Sequence, residues 1–233
     1  LTTLLRLPLA LLASWRLLRR ERPAFVLGVG GHASGPLLLI SSLCGFRSAI
    51  WEPNAMPGMA NRILSRFVPE AWVVFDEARP LLHSRQTHRA GMPVRREIEE
   101  MRVSLTGEPG KFRILVFGGS QGARGVNTAV AEMIKAGGAW LQDVEVVHQT
   151  GAGDFARVRD LYGETLKHRP VSLHEYLHDM EHQYAQADLV ICRSGTGTLS
   201  ELQACGKPAI LIPFPFAADD HQKKNAESLV RQG

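Results

Sequence analysis

Cysteine is scarce in this chain. Its 233 residues contain 3, at Cys44, Cys192 and Cys205, with no close pair and no His/Cys spacing that suggests zinc. A disulfide framework is excluded and a reducing compartment is expected. Cys192 and Cys205 fall in or beside apolar segments, where a free thiol acts as a small hydrophobe. Long hydrophobic runs are missing as well, since the run from Leu9 to Trp15 is far too short to span a bilayer. Nor is there a strong charge of one sign. The formal charge is +4 and the pI about 9.2, a mild basic excess that suits anionic partners of any kind and selects none. No nucleic-acid partner is expected. What is present is a chain 45% hydrophobic and 21% charged, the balance of a well-buried globular protein of one large or two small domains.

The opening segment, LTTLLRLPLALLASWRLLRR, has the composition of a signal peptide without its layout. A basic tail follows the apolar run, and no small-residue cleavage site is evident. Arg6 and Pro8 interrupt it. An amphipathic helix over Leu9–Trp15, with Arg16, Arg19, Arg20 and Arg22 close behind, fits two roles: packing against the core with a solvated basic end, or lying on an anionic membrane surface.

Three short apolar runs each lead into a glycine-rich turn and then a helix. Phe25–Gly28 leads into GVGGHASGP and a helix over Leu37–Leu43. Arg113–Phe117 leads into GGSQGAR and a helix opening near Val126. Leu189–Cys192 leads into RSGTGT and the helix-forming SELQAC, which Gly206 and Pro208 stop. Ala209–Pro213 is a further apolar run. Buried strands joined by helices form parallel sheets, which bind ligands at the carboxyl ends of their strands. Small residues there let backbone N–H groups approach an anion, and the helix N-terminus adds its dipole. Glu201, one turn into its helix, is placed to bridge two neighbouring sugar hydroxyls, or is simply a first-turn charge. The second loop lacks both the Gly-x-Gly-x-x-Gly spacing of a dinucleotide site and the Walker lysine. Each loop alone is a weak signal. Two in one sheet, followed by Asp219–Asp220–His221–Gln222 and Asn225, are stronger.

Elsewhere the pattern predicts strands at Ser48–Trp51, Trp72–Phe75, Asp143–His148 and Val171–Leu173. Helices are expected at Met59–Phe67, Val126–Lys135, Phe155–Tyr162 and His178–Gln186. Arg96–Glu100 and Leu105–Lys111 read as a charged linker holding Gly107, Pro109 and Gly110. The alternation predicts an α/β protein with doubly wound parallel sheets.

Taken together, these residues resemble the MurG-type N-acetylglucosaminyltransferases of bacterial cell-wall synthesis. The resemblance rests on VLGVGGHASGP, WEPNAMPGMANR, GMPVR, ILVFGGSQGAR, VVHQTG, HEYLHDM, ADLVICRSGTGTLSEL and GKPAILIPFPFAADDHQ, which run in family order over nearly the whole chain. It implies a GT-B architecture of two Rossmann-like domains. Residues 1–104 would be a partial acceptor and membrane domain with its linker, and 105–233 a truncated UDP-sugar domain. Family members carry an earlier strand and a GGTGGH loop, and further C-terminal elements, so a piece of an enzyme is expected. The implied reaction moves N-acetylglucosamine, with inversion, from UDP-N-acetylglucosamine to undecaprenyl-linked lipid I, giving lipid II. It would proceed without cofactor or metal, peripherally on the cytoplasmic face of the bacterial inner membrane. The Leu9–Trp15 helix matches the family's membrane-facing patch, so an anionic membrane surface is an implied partner.

The resemblance also implies roles. Ser120, with the backbone of Gly119 and Gln121, would face the donor pyrophosphate, and Arg95 the same phosphates. Leu177 would read the uracil edge through its backbone amide and carbonyl. Thr198 and Leu199 would lie beside the α-phosphate, and Glu201 would take the ribose hydroxyls. Gln222, supported by Asn225, would read the sugar hydroxyls. On the acceptor side Gly30, Gly31 and Ser34 would hold the lipid pyrophosphate, with Glu52 and Asn54 near the reacting centre. Trp51 and Pro53 depart from the family's usual His-Glu-Gln-Asn. The family's candidate base, a histidine, lies in the earlier loop, and His32 sits in a different motif. Two alternatives are another GT-B UDP-sugar glycolipid transferase and a non-catalytic nucleotide-binding protein.

Overall fold

The computed structural model describes residues 2–101, 111–119 and 121–232, with side chains except at 2–6 and 32. The chain forms two compact units, Leu1–Met92 with Pro215–Gly233, and Pro93–Phe214.

The first unit begins with α1 (Thr2–Glu21), followed by β1 (Val26–Gly28), α2 (Gly31–Leu43), β2 (Ser48–Glu52), α3 (Met59–Leu64), β3 (Glu70–Val73) and β4 (Gln86–Arg89). The strands make a parallel sheet in the order β1-β2-β3-β4. α1 runs through Pro8, which the sequence reading took as an interruption. A proline removes one intrahelical donor, but good helix formers follow it, and Leu18, 2% exposed, anchors the far end in the core beside Leu38 of α2. β4 was not expected. Its residues Gln-Thr-His-Arg carry no apolar signal, and as the sheet's edge it needs none.

The second unit holds α4 (Arg96–Glu100), β5 (Phe112–Phe117), α5 (Arg124–Ala136), β6 (Val144–Gln149), α6 (Phe155–Tyr162), α7 (Thr165–His168), β7 (Val171–His174), α8 (Met180–Gln186), β8 (Leu189–Cys192), α9 (Thr196–Cys205) and β9 (Ala209–Leu211). Its five strands are all parallel, in the order β7-β6-β5-β8-β9. β5 is central because its run Ile114–Phe117 is buried on both faces. The core packs Val116, Val126, Ile134, Val146 and Tyr162 between sheet and helices. α4 falls in the segment read as linker, where one apolar residue, Ile98, is fully buried. Residues 105–110 of that linker lie outside the described residues.

The chain then returns to the first unit with α10 (His221–Gln232). The sequence reading assigned everything from residue 105 onward to the second domain, whereas the compact units group Pro215–Gly233 with the first. The cause is local. Asn225 of α10 is fully buried, and its Oδ1 accepts the Ala55 N–H at 2.8 Å.

Candidate functional site

In the second unit the carboxyl ends of β5, β6 and β8 carry the polar residues. The turn after β5 passes through Gly119 (φ 87°) and Gly122 (φ 75°) before α5 begins. A Cβ at Gly122 would overlap the Thr150 carbonyl oxygen, and one at Gly151 would lie 2.6 Å from the Gly122 nitrogen. The turn therefore sits flat against the end of β6, an approach that only glycine permits. Gln149, 3% exposed, fastens it. Its Nε2 donates to the Gly119 carbonyl at 3.2 Å, and its Oε1 accepts the Leu177 N–H at 2.9 Å.

Beneath this turn lies a buried polar chain. His148 Nδ1 meets the Tyr162 hydroxyl at 3.0 Å and its Nε2 meets Asn127 Oδ1 at 3.1 Å. Asn127 donates to the Thr150 carbonyl at 3.0 Å and to Asp154 Oδ2 at 2.7 Å. Burial pulls the His148 pKa down to about 4, so the ring is neutral. Arg157, at 2.6 and 2.7 Å from the two carboxylate oxygens, holds the Asp154 carboxyl below its ordinary value.

At the other side of the unit, α9 starts after Gly195. The Leu199 N–H already donates to the Gly195 carbonyl at 3.0 Å, and its side chain is 1% exposed. The Leu199 amide and side chain are thus engaged by the helix and the core, and the helix's open end is formed by the residues before it, Thr198 included. Glu201 follows one turn on. Its Oε2 accepts the Tyr184 hydroxyl at 3.0 Å, and its Oε1 faces Arg95 Nη2 at 3.5 Å. Burial, reinforced by the Glu201 charge, pushes the Tyr184 phenol well above its ordinary pKa, so it stays a donor that aims the carboxylate. The long Arg95 contact leaves Oε1 capacity for a further donor. Arg95 also lies 3.9 Å from Glu181.

In the first unit Glu52, 2% exposed, accepts four hydrogen bonds. Oε1 takes Asn54 N at 3.0 Å and Asn54 Nδ2 at 3.2 Å, while Oε2 takes Gly58 N at 3.0 Å and Asn61 Nδ2 at 2.8 Å. Asn225 Nδ2 donates to Asn54 Oδ1 at 3.1 Å. This network fixes the loop after β2.

The positions expected from sequence thus fall into two groups. The second unit brings Gly119 and Leu177 together through Gln149, and Arg95 to Glu201; Gln121 is exposed beside Gly122. Ser120 lies outside the described residues. The Leu177 amide, expected to read a base edge, is held by Gln149. Gln222 and Asn225 belong to the first unit. Asn225, expected on the donor, is a buried strut between Asn54 and Ala55. Gln222, half-buried, opens α10 after Asp219, which pairs with Arg62 at 2.9 Å. Gly30 and Gly31 keep positive φ, but α2 starts at Gly31 rather than Leu37, and the Ser34 hydroxyl donates back to the Gly30 carbonyl within its first turn. Glu52, expected near the reacting centre, holds Asn54 in place with every lone pair engaged. Sequence reasoning missed Gln149, Tyr184, Asn127 and Asn61. The one signal for them was a polar residue inside or at the end of an apolar run, as in VVHQT.

Two family models match the chain, the glycosyltransferase family 28 C-terminal domain over residues 113–233 and the family 28 N-terminal domain over residues 1–73. Among curated relatives, a UDP-N-acetylglucosamine–N-acetylmuramyl-(pentapeptide) pyrophosphoryl-undecaprenol N-acetylglucosamine transferase of Bdellovibrio bacteriovorus is 48% identical over 99% of this chain and 63% of its own. One of the same name from Anaeromyxobacter dehalogenans is 44% identical over 100% of this chain and 60% of its own. The chain thus spans about 60% of the length of the curated relatives it matches. The crystal structure of Acinetobacter baumannii MurG superposes with a TM-score of 0.79 at 28% identity, over 98% of this chain and 64% of that one. A UDP-GlcNAc 2-epimerase of Neisseria meningitidis bound to UDP-GlcNAc gives 0.61 at 12% identity over 97% and 72%, a likeness of fold alone. With one family model covering more than half of its residues and the companion model covering the start, the chain belongs to glycosyltransferase family 28.

Proposed function

We propose that this chain is part of an inverting transferase that moves N-acetylglucosamine from UDP-N-acetylglucosamine to the C4 hydroxyl of undecaprenyl-linked lipid I, forming lipid II at the cytoplasmic face of the inner membrane. The observation that carries the reading is the 48% identity across 99% of the chain to a transferase of that name. Supporting it in the second unit are the glycine turn with Gly119 and Gln121, the first turn of α9 with Thr198, and Glu201 aimed by Tyr184 beside Arg95. Backbone donors, a helix dipole and a guanidinium stabilise the charge of a departing diphosphate. Glu201 accepts the ribose hydroxyls, and the Leu177 carbonyl accepts the base N–H. Ser120 belongs with the diphosphate turn. In the first unit Gly30, Gly31 and Asn54 serve the acceptor, with Glu52 positioning Asn54, while Gln222 contributes to recognition of the sugar. A base must also take the acceptor proton.

Membrane contact is part of the same reading. On α1, Leu9 is 68% exposed, Leu12 and Trp15 are exposed, and Arg19 lies 5.1 Å from the Trp15 ring. No helix among the described residues is long and apolar enough to cross a membrane, and exposed apolar groups flanked by arginine suit a surface-lying helix. Flotation with anionic vesicles should fall for Leu9→Ser/Trp15→Ser, and equal flotation would remove this contact.

The central test gives the full-length protein a short-chain lipid I analogue with UDP-N-acetylglucosamine or UDP-glucose. Transfer from the first donor alone is expected. Transfer from UDP-glucose would redirect the reading to another glycolipid transferase, and UDP binding without transfer to a non-catalytic nucleotide-binding role. Glu201→Ala should weaken UDP binding by about 1.5–3 kcal/mol, the worth of hydrogen bonds to a charged group.

A further inference from the structure

Gln149 ends β6 with its side chain buried, and the reaction outlined above gives it no task. Its amide joins two loops from different strands. Nε2 donates to the Gly119 carbonyl in the turn after β5, and Oε1 accepts the Leu177 N–H in the loop after β7. One partner is an acceptor and the other a donor, so the orientation of the amide is set by its surroundings. Neighbouring backbone supports the same junction, with Thr150 N–H on the His174 carbonyl at 2.9 Å and Gly151 N–H on the Glu175 carbonyl at 3.0 Å. Asn127 holds the Thr150 carbonyl from below.

We propose that Gln149 is the positioning residue of the nucleotide site, pinning the turn that faces the diphosphate to the loop that faces the uracil, so that one buried amide sets base and diphosphate recognition together. This rests on the donor reading above. A buried donor or acceptor that loses its partner carries its full desolvation cost, so the two loops have strong reason to stay in register while Gln149 is present. Its chemistry can be divided. Leucine removes both bonds. Glutamate keeps an acceptor for the Leu177 N–H but sets a carboxylate oxygen against the Gly119 carbonyl.

The test measures UDP, ADP and pyrophosphate binding by calorimetry on the full-length protein and its variants. Gln149→Leu should weaken UDP at least tenfold and reduce the preference for UDP over ADP by a similar factor, a ratio that a general loss of stability does not move. Gln149→Glu should weaken UDP and pyrophosphate yet keep the UDP-over-ADP preference. Hydrogen exchange at the Leu177 amide should accelerate in the leucine variant and stay slow in the glutamate one. UDP binding within twofold of the parent at unchanged preference would overturn the proposal. So would tighter binding, which would make Gln149 a competitor for the Leu177 amide. Failure of both variants to fold would reduce Gln149 to a stability residue. A parent protein without preference for UDP over ADP would sink the donor reading itself, a result distinct from any variant's.

Discussion

The two units each carry a strand, a glycine turn and a helix, yet they use glycine differently. After β5 the turn is pressed against its own sheet. Gly122 and Gly151 are in backbone contact, Gly118 abuts Ala123, and Gln149 and Asn127 fasten the layer from below. After β1 the turn is open. Among the described residues nothing lies within 4 Å of a Cβ at Gly31, and at Gly30 the nearest atom is Asn61 Nδ2 at 3.6 Å. In the second unit the turn's own glycines provide room as well as a left-handed φ; in the first unit the two are separated, Gly28 at the strand end giving room to Leu38 while Gly30 and Gly31 supply φ alone. A turn clamped in this way is set before any ligand arrives. The open turn is held mainly by the Ser34 hydroxyl on the Gly30 carbonyl, inside α2.

The comparison can be broken most sharply at Gly122. Gly122→Ala adds a Cβ into the Thr150 carbonyl at φ 75°, so it should cost about 4 kcal/mol in denaturant unfolding, from left-handed strain plus overpacking. A loss below about 1 kcal/mol would show that the clamp yields. His148 comes next. Unfolded, its imidazole takes a proton near pH 6.5, and folded only near 4. Between those values the unfolded chain binds more protons, so stability is full above pH 6.5 and falls as pH drops toward 4, by about 3 kcal/mol. His148→Gln should flatten that limb of the stability curve, and an unchanged slope would place the acid sensitivity elsewhere. In the first unit, Glu52→Gln turns an NH2 toward N–H donors of Asn54 or of Gly58 and Asn61. It should cost about 2 kcal/mol and lower turnover through a displaced Asn54; full stability with full turnover would dismiss the network. The smallest effect belongs to Gly31→Ala, where only positive φ opposes the change. About 1 kcal/mol is expected from unfolding curves, and a cost matching Gly122→Ala would erase the distinction between the turns.

Several elements were legible because their signals are local. β8 and α6 fall at Leu189–Cys192 and Phe155–Tyr162, as the apolar runs and helical spacing predict. β4 and α4 were not, since an edge strand of Gln-Thr-His-Arg and a single-turn helix buried through Ile98 carry too few apolar positions to register. α10 was hidden for a similar reason. Its polar face dominates the sequence, and its attachment to the first unit rests on Asn225 reaching Asn54 and Ala55, partners about 170 residues away in the chain.

Of the candidate site, motif order proposed Arg95, Leu177 and Glu201, and the structure pairs Arg95 with Glu201. By itself the sequence determined the alternation of strand and helix, the glycine turns and the residue types available for anion and sugar recognition. Which groups remain free for a ligand was decided only in three dimensions. The Leu177 amide, the Leu199 amide, the Ser34 hydroxyl and the Glu52 carboxylate are each engaged by a protein partner, whereas Glu201 Oε1 keeps capacity for another donor. A hydrogen-bonding group's availability depends on what packs against it, and in this fold those partners come from other strands and helices, at separations that no local pattern encodes.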